Sequence, residues 1–571
     1  MHIVRKIVRI LFFILFGAVL LIAGSILALY SPWTQETLRR AVTERFSDPE
    51  DVQICLESIR LRPPLRLELA GLDIVQHRDT VISADRFSAD IALLPLIGGT
   101  ASVADASLQG GYYRIGAPDS AMCLNIRADI ADISSASVAL ATMAIDVDDA
   151  TLSRCRIDMV LNPDTATTPA PAAADTSDMT LRLGRVRLRQ LDYTMRMLPV
   201  IDSLSTHIAD ATLLEGNIAM REQSISRRSL IGSGLAAAYI APDSATIAAT
   251  PVAPESAPSA PWTVTIDSIA FDSSRALYTT NGIKPQPGLD FAYIEVDSMK
   301  LRISDFYNRA TTVRVPLSIS ATERSGLRLS TRGTLLVDSA ALALDAFSLT
   351  TPATSLDFSY MMGMGDLASD PTLPVSVNAS GRIGTADLRL MFPAFTPFLA
   401  GLPAEGITAT ADASGKMGKI DIRTLALRLN GCLDMNASGS ISNPMQPQHM
   451  GADIRLAGRI SNAAPIARNF LDPATMRSVS IPPMSLDGCL RMTEGMNIAG
   501  RLTALTGNGR IALDGSWNSR AENYRAEIDT RDFPVNAFMP LLGVGRVTAS
   551  ATASGHGLDI ASESTRMSAR A

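Results

Sequence analysis

The sequence predicts a mainly β fold: one N-terminal transmembrane helix, then an elongated antiparallel β-sheet with short amphipathic helices and repeats of about 70 residues. Three observations lead there. Apolar and polar residues alternate over many short segments, as in Leu65, Leu67 and Leu69 around Arg66 and Glu68. Strict alternation gives a strand one apolar and one polar face. Turn signals recur at short intervals: Ala70-Gly71, Gly98-Gly99, Asn281-Gly282, Asn430-Gly431 and Gly507-Asn508-Gly509. No long helical pattern separates the strands, which argues against parallel βαβ units and for a meander.

The chain opens on an uncharged stretch at residues 10–29, from Ile10 through Phe13 and Leu20 to Leu29. A helix of that length spans about 30 Å, the thickness of a bilayer's hydrocarbon core. Arg5, Lys6 and Arg9 precede it, and the first acidic residue is Glu36. A positive flank keeps residues 1–9 in the cytoplasm and sends the rest across the membrane. A cleaved signal peptide is the competing reading. It fits less well, because the small residues Ala23-Gly24-Ser25 lie deep inside the apolar run.

Ser31 and Pro32 then supply an N-cap and a first helical position. Leu38, Val42 and Phe46 recur every four residues, so one short amphipathic helix is expected, ending near Ser47. It would lie on the membrane surface or cap the end of a β body. Strand patterns follow, including Leu181 and Leu183 between arginines, and Leu425, Leu427 and Leu429.

Residues 161–178 and 241–261 are rich in Ala, Pro, Ser and Thr and lack the apolar density for a core. As loops they divide the chain into an N-terminal β domain at 31–160, β segments at 179–240 and 262–385, and a repeated region at 386–571. Within the last, Ala394-Phe395-Thr396-Pro397-Phe398-Leu399 returns as Ala537-Phe538-Met539-Pro540-Leu541-Leu542, and a degenerate copy starts near Ala464. Each unit reads as a short apolar helix followed by strands. Such repeats stack into quasi-one-dimensional bodies. The repeat phase at Ala571 leaves two expectations: further sequence beyond it, or something else that closes the end.

Composition excludes several classes. Net charge is −6 and no basic block follows the N-terminal flank, so nucleic acid is not an expected partner. Charged residues are 19%, below the usual ~25%. The five cysteines form no C-x-x-C and read as small buried hydrophobes. The histidines, His2, His77, His207, His449 and His556, form no metal motif, and no nucleophile elbow, P-loop or dinucleotide fingerprint occurs. No enzyme, cofactor, metal or catalytic residue is expected.

Residues 31–115 carry a recognisable order. After the helix come a strand pair, then Ala84-Asp85-Arg86-Phe87, Ile91-Ala92-Leu93-Leu94-Pro95-Leu96, Gly99, Val103, Leu108, Gly110, Tyr113 and Ile115. This order resembles the AsmA-like superfamily, and within it the TamB branch. The repeats look like that family's repeating body, whereas its C-terminal domain has no counterpart here. The resemblance implies a long open sheet rolled into a groove with an apolar inner face, like that of bridge-like lipid-transfer proteins. It implies phospholipids as cargo, moved from the inner to the outer membrane of a diderm bacterium by a single-pass protein with its bulk in the periplasm. It also implies an alternative: a scaffold for assembling outer-membrane β-barrel proteins, with an outer-membrane barrel protein as partner. The expected groove lining is Leu65, Leu67, Leu69, Leu181, Leu183, Leu425, Leu427 and Leu429.

Overall fold

The computed structural model describes residues 30–570 apart from 48–51, 64, 77–78, 93–94, 96–97, 118–121, 140, 143, 163–178, 198–200, 242–261, 281–282, 366–369, 400, 447, 468–477, 494–495, 520, 540–542 and 557–565. The expected anchor, with Ile10, Phe13, Leu20 and Leu29, and its flank Arg5, Lys6 and Arg9 lie outside the described residues. Among the described residues no helix is long and apolar enough to cross a membrane. Among the described residues the fold is mainly β, with 26 strands assigned to one hydrogen-bonded sheet. The chain divides into two compact units, one of residues up to 284 with 298–310, the other of 285–297 with 311–571.

The first unit begins with helix α1 (Pro32–Phe46), capped as the sequence predicts: the Ser31 hydroxyl accepts from the Thr34 amide at 3.3 Å. The helix lies against β1 (Val52–Arg62), where Gln35 Nε2 donates to the Leu61 carbonyl at 3.0 Å and Arg39 Nη1 to that of Leu56 at 3.2 Å. Strands β2 (Arg66–Gln76), β3 (Asp79–Ala92), β4 (Thr100–Ile115), β5 (Met122–Ala139), β6 (Ala144–Leu161), β7 (Thr180–Met197), β8 (Ile201–Ala219), β9 (Ser224–Ala241), β10 (Thr263–Thr280) and β11 (Tyr293–Arg309) follow, with 293–297 of β11 counted in the second unit. The meander is broken at β6–β7 and β9–β10, which pair in parallel. The segments expected as loops between domains join these parallel partners. A parallel pair requires the chain to return along the strand before pairing.

Ala70-Gly71, expected as a turn, lies inside β2. Gly71 has φ +58° and stands beside Glu57 of β1, and the register passes from Leu56↔Leu72 to Ser58↔Ala70. A glycine within a strand marks a kink as readily as a turn.

The second unit continues with β12 (Thr312–Glu323), β13 (Arg328–Val337), β14 (Ala341–Thr350), β15 (Ser355–Gly363) and β16 (Pro374–Ile383). A helical insertion follows: α2 (Thr385–Met391), a single 3-10 turn at Pro393–Phe395, and α3 (Thr396–Leu399). Then come β17 (Ile407–Lys416), β18 (Lys419–Leu429), β19 (Leu433–Ser442) and β20 (Gly451–Ile460), and a second insertion, α4 (Ala464–Ala467). Four more strands, β21 (Met484–Thr493), β22 (Asn497–Thr506), β23 (Gly509–Asn518) and β24 (Asn523–Pro534), lead to α5 (Val535–Phe538), β25 (Arg546–His556) and β26 (Arg566–Arg570). Four strands thus separate each helical insertion from the next. The Asn430-Gly431 and Gly507-Asn508-Gly509 signals fall at hairpin turns, with Gly431 at φ +69° and Gly507 at φ +57°.

Candidate functional site

The register of the second unit builds one long apolar face. Phe347 on β14 stacks on Phe358 of β15, with ring centroids 5.6 Å apart. From Phe358 the same row runs through Ala379, Ala411, Leu425, Ala437, Leu456, Gly488, Leu502, Leu513, Ile528 and Ala551, one residue per strand as far as β25. A neighbouring row crosses from Val377 through Ala413, Ile422, Gly439, Ile454 and Leu490. No polar side chain interrupts either row. Cross-strand pairs of this kind are the unit of sheet stabilisation.

The opposite face is polar and laced by ion pairs between directly opposed residues. Arg428 meets Asp434 at 3.1 Å, Arg491 meets Asp453 at 3.1 Å, and Arg501 meets Asp514 at 2.7 Å. Asp514 holds the Arg501 guanidinium above its ordinary pKa by this hydrogen bond. These pairs are exposed and contribute little stability singly. They do make this the polar face of the sheet.

A bulge keeps β18 in phase. Its register against β19 jumps between Ile422 and Leu425, so Ile422, Leu425, Leu427 and Leu429 all stand on the apolar face despite the extra residue. The sequence-predicted residues Leu425, Leu427 and Leu429 therefore come together. Leu429 is buried, whereas Leu425, Leu427, Leu490, Leu513 and Ile528 are between 39% and 46% exposed. Large aliphatic side chains on a continuous face stay accessible to solvent. Among the described residues the strands of this unit contact chiefly their ladder neighbours.

The first unit repeats the logic with longer strands. Leu181 and Leu183 on β7 lie between Ile145 and Val147 of β6 and Ile218 and Gly216 of β8. They pack against a buried cluster of Val147, Ala150 and Val186. Leu67 and Leu69 pair with Leu61 and Ile59 on one side and Ala89 and Phe87 on the other, while Leu65 precedes β2. All five leucines are half-buried. The apolar positions of β6 are spaced two, then three, then two. Where the register skips Ser135, Asp148 and Glu215, the side chains change phase, and Ser135 and Glu215 have positive φ. Exposed polar pairs lace this crease, Ser135 to Asp148 at 2.7 Å and Arg228 to Glu215 at 2.6 Å.

No protein-family model and no curated protein matches this chain. Its chemistry is therefore read from the faces themselves. Among the described residues no group of three or more His, Cys, Asp or Glu side chains is placed to hold a metal ion. The faces offer apolar surface, and one residue breaks the pattern. Arg227 on β9 shares the apolar side with Ile225, opposite Gly216. Sequence reading passed over it, although the alternation Ile225-Ser226-Arg227 places both residues on one side of a strand.

Proposed function

We propose that this protein is a membrane-anchored conduit for phospholipids, whose apolar sheet faces carry acyl chains along a groove between the inner and outer membranes of a diderm envelope. The observation that carries the reading is the run of partly exposed Leu and Ile side chains in uninterrupted register, backed by a face of ion pairs. An acyl chain in water loses about 0.8 kcal/mol per CH₂ left unburied. A face whose rows stay apolar from strand to strand offsets that loss at each step. Ala and Gly alternate with Leu along the rows, so chains meet a shallow surface without tight pockets. The likeness of residues 31–115 to the AsmA-like superfamily and its TamB branch supports the same role, and the uncharged stretch at 10–29 supplies the anchor.

The test is native mass spectrometry and lipid extraction on the purified full chain. Co-purified phospholipid, depleted by Leu427→Asp and by Leu490→Asp, is the expected result. A lipid-free protein of unchanged fold overturns the conduit and turns attention to a scaffold for outer-membrane barrel assembly.

A further inference from the structure

The apolar face of the first unit carries one cation in an unusual setting. Across five strands a single row reads Ala136, Val147, Leu183, Gly216 and Arg227, and it continues to Ile266 on β10. The Arg227 guanidinium fills the space that a side chain at position 216 would take: a Cβ built on Gly216 would fall 1.4 Å from Nη1. Gly216 therefore leaves the room in which Arg227 lies flat on the sheet, beside Leu183. The Nη1 atom is buried and has no hydrogen-bond partner among the described residues. Among the described residues no carboxylate pairs with this guanidinium in the way Glu215 pairs with the adjacent Arg228 at 2.6 Å. Burial lowers the Arg227 pKa from its ordinary value, with no counter-charge to offset it.

A buried donor left unmade costs more than a made bond contributes. A guanidinium is also a forked donor that matches the oxygens of a phosphate. Apolar neighbours on both sides suit acyl chains, and one half-buried cation among them suits the anion those chains carry. We propose that Arg227 is a headgroup site, at which the phosphate of a phospholipid pairs with the guanidinium while its acyl chains lie against Val147 and Leu183. The inference rests on the conduit reading and adds to it a fixed point of contact and a preference for lipids bearing phosphate.

The test titrates the full chain, in detergent, with dioleoylphosphatidylglycerol and with dioleoylglycerol, which shares the chains but lacks the phosphate. Bound lipid is counted by native mass spectrometry. One charge-assisted contact corresponds to a preference of about tenfold for the phospholipid. Arg227→Gln is expected to erase that preference, and Arg227→Lys to retain part of it, which separates loss of charge from a general loss of fold. If the wild type binds neither lipid, the conduit fails and this site with it. If it binds both equally, or if Arg227→Gln keeps the preference, the conduit stands and the Arg227 assignment is overturned. If inorganic phosphate alone abolishes the preference, the site belongs to free phosphate and the headgroup assignment is overturned.

Discussion

Leu427 and Leu429 stand on the same face of β18, two residues apart, yet Leu427 is 42% exposed and Leu429 only 5%. One face thus holds both a packed position and an accessible one. Leu429 pairs with Ile407 and Leu433 beside the hairpin turn, where Cys432 is also buried. Truncating Leu429 to Ala is expected to cost about 2–4 kcal/mol through lost burial and a residual cavity. Leu427→Asp is expected to cost about 1 kcal/mol or less, because its site already meets water. Scanning calorimetry of the two variants checks this. Equal, large losses at both positions would make the face an ordinary core and remove the basis for a conduit.

The first helical insertion of the second unit is pinned by one carboxylate. Asp387, 2% exposed, accepts the Thr354 hydroxyl at 2.7 Å, the Ala353 amide at 3.2 Å and the Thr351 hydroxyl. The Thr354 oxygen in turn accepts the Gly384 amide at 3.1 Å, so the start of α2 is tied to the turn between β14 and β15. Asp387→Ala strands these donors, each at about 1–3 kcal/mol. Asp387→Asn keeps one acceptor oxygen and is expected to lose less. Hydrogen exchange is the measurement, with amides of residues 385–391 losing protection in the alanine variant before the flanking strands do. Full protection there would show that the carboxylate holds nothing in place.

Strand identity was legible wherever apolar residues alternate without interruption, as at Leu67 and Leu69 or Leu425, Leu427 and Leu429. Pairing direction was not, because alternation is the same in parallel and antiparallel ladders, and β6–β7 and β9–β10 are parallel. The crease residues escaped for a different reason. Ser135 and Glu215 adopt positive φ without being glycine, so no composition signal marks them, while Gly71, a glycine that looked like a turn, sits within a strand. Arg227 escaped because arginines elsewhere on these strands face water. Only the register against Gly216 sets it apart.

The cysteines give a direct check on which faces are covered. The sequence leads one to expect all five as buried hydrophobes. Cys123, Cys155 and Cys432 are buried, but Cys55 and Cys489 are exposed, the latter opposite Arg455 and Arg501 on the polar face. Cys432 sits in a turn rather than a strand. Burial, with Asp129 adding to it, raises the Cys155 pKa, and a thiol kept protonated reacts slowly. A thiol reagent applied to native protein is expected to modify Cys55 and Cys489 quickly and the other three only after denaturation, as mapped by peptide mass spectrometry. Rapid labelling of Cys155 in the native state would mean that its site on β6 is open to solvent.

Helix α1 carries a pH-sensitive contact of its own. Glu36 accepts from Arg39 Nε at 2.9 Å and Nη2 at 2.7 Å, and from Arg40 Nε at 3.0 Å. These hydrogen bonds lower its pKa from 4.5 to about 2. A carboxyl with a depressed folded-state pKa stabilises above its unfolded value and loses that contribution as pH falls through the folded one. The window here runs from about 4.5 down to about 2. Arg39 also reaches the Leu56 carbonyl on β1, so protonating Glu36 loosens the side chain that docks the helix. A carbon-13 titration of the Glu36 carboxyl is expected to show a midpoint near 2, moving up toward 4.5 in Arg39→Gln. High salt should move it the same way, since the group is solvent-exposed and screening reaches it. A midpoint at the ordinary carboxylate value in the wild type would mean that the helix does not hold this arginine pair in place against β1.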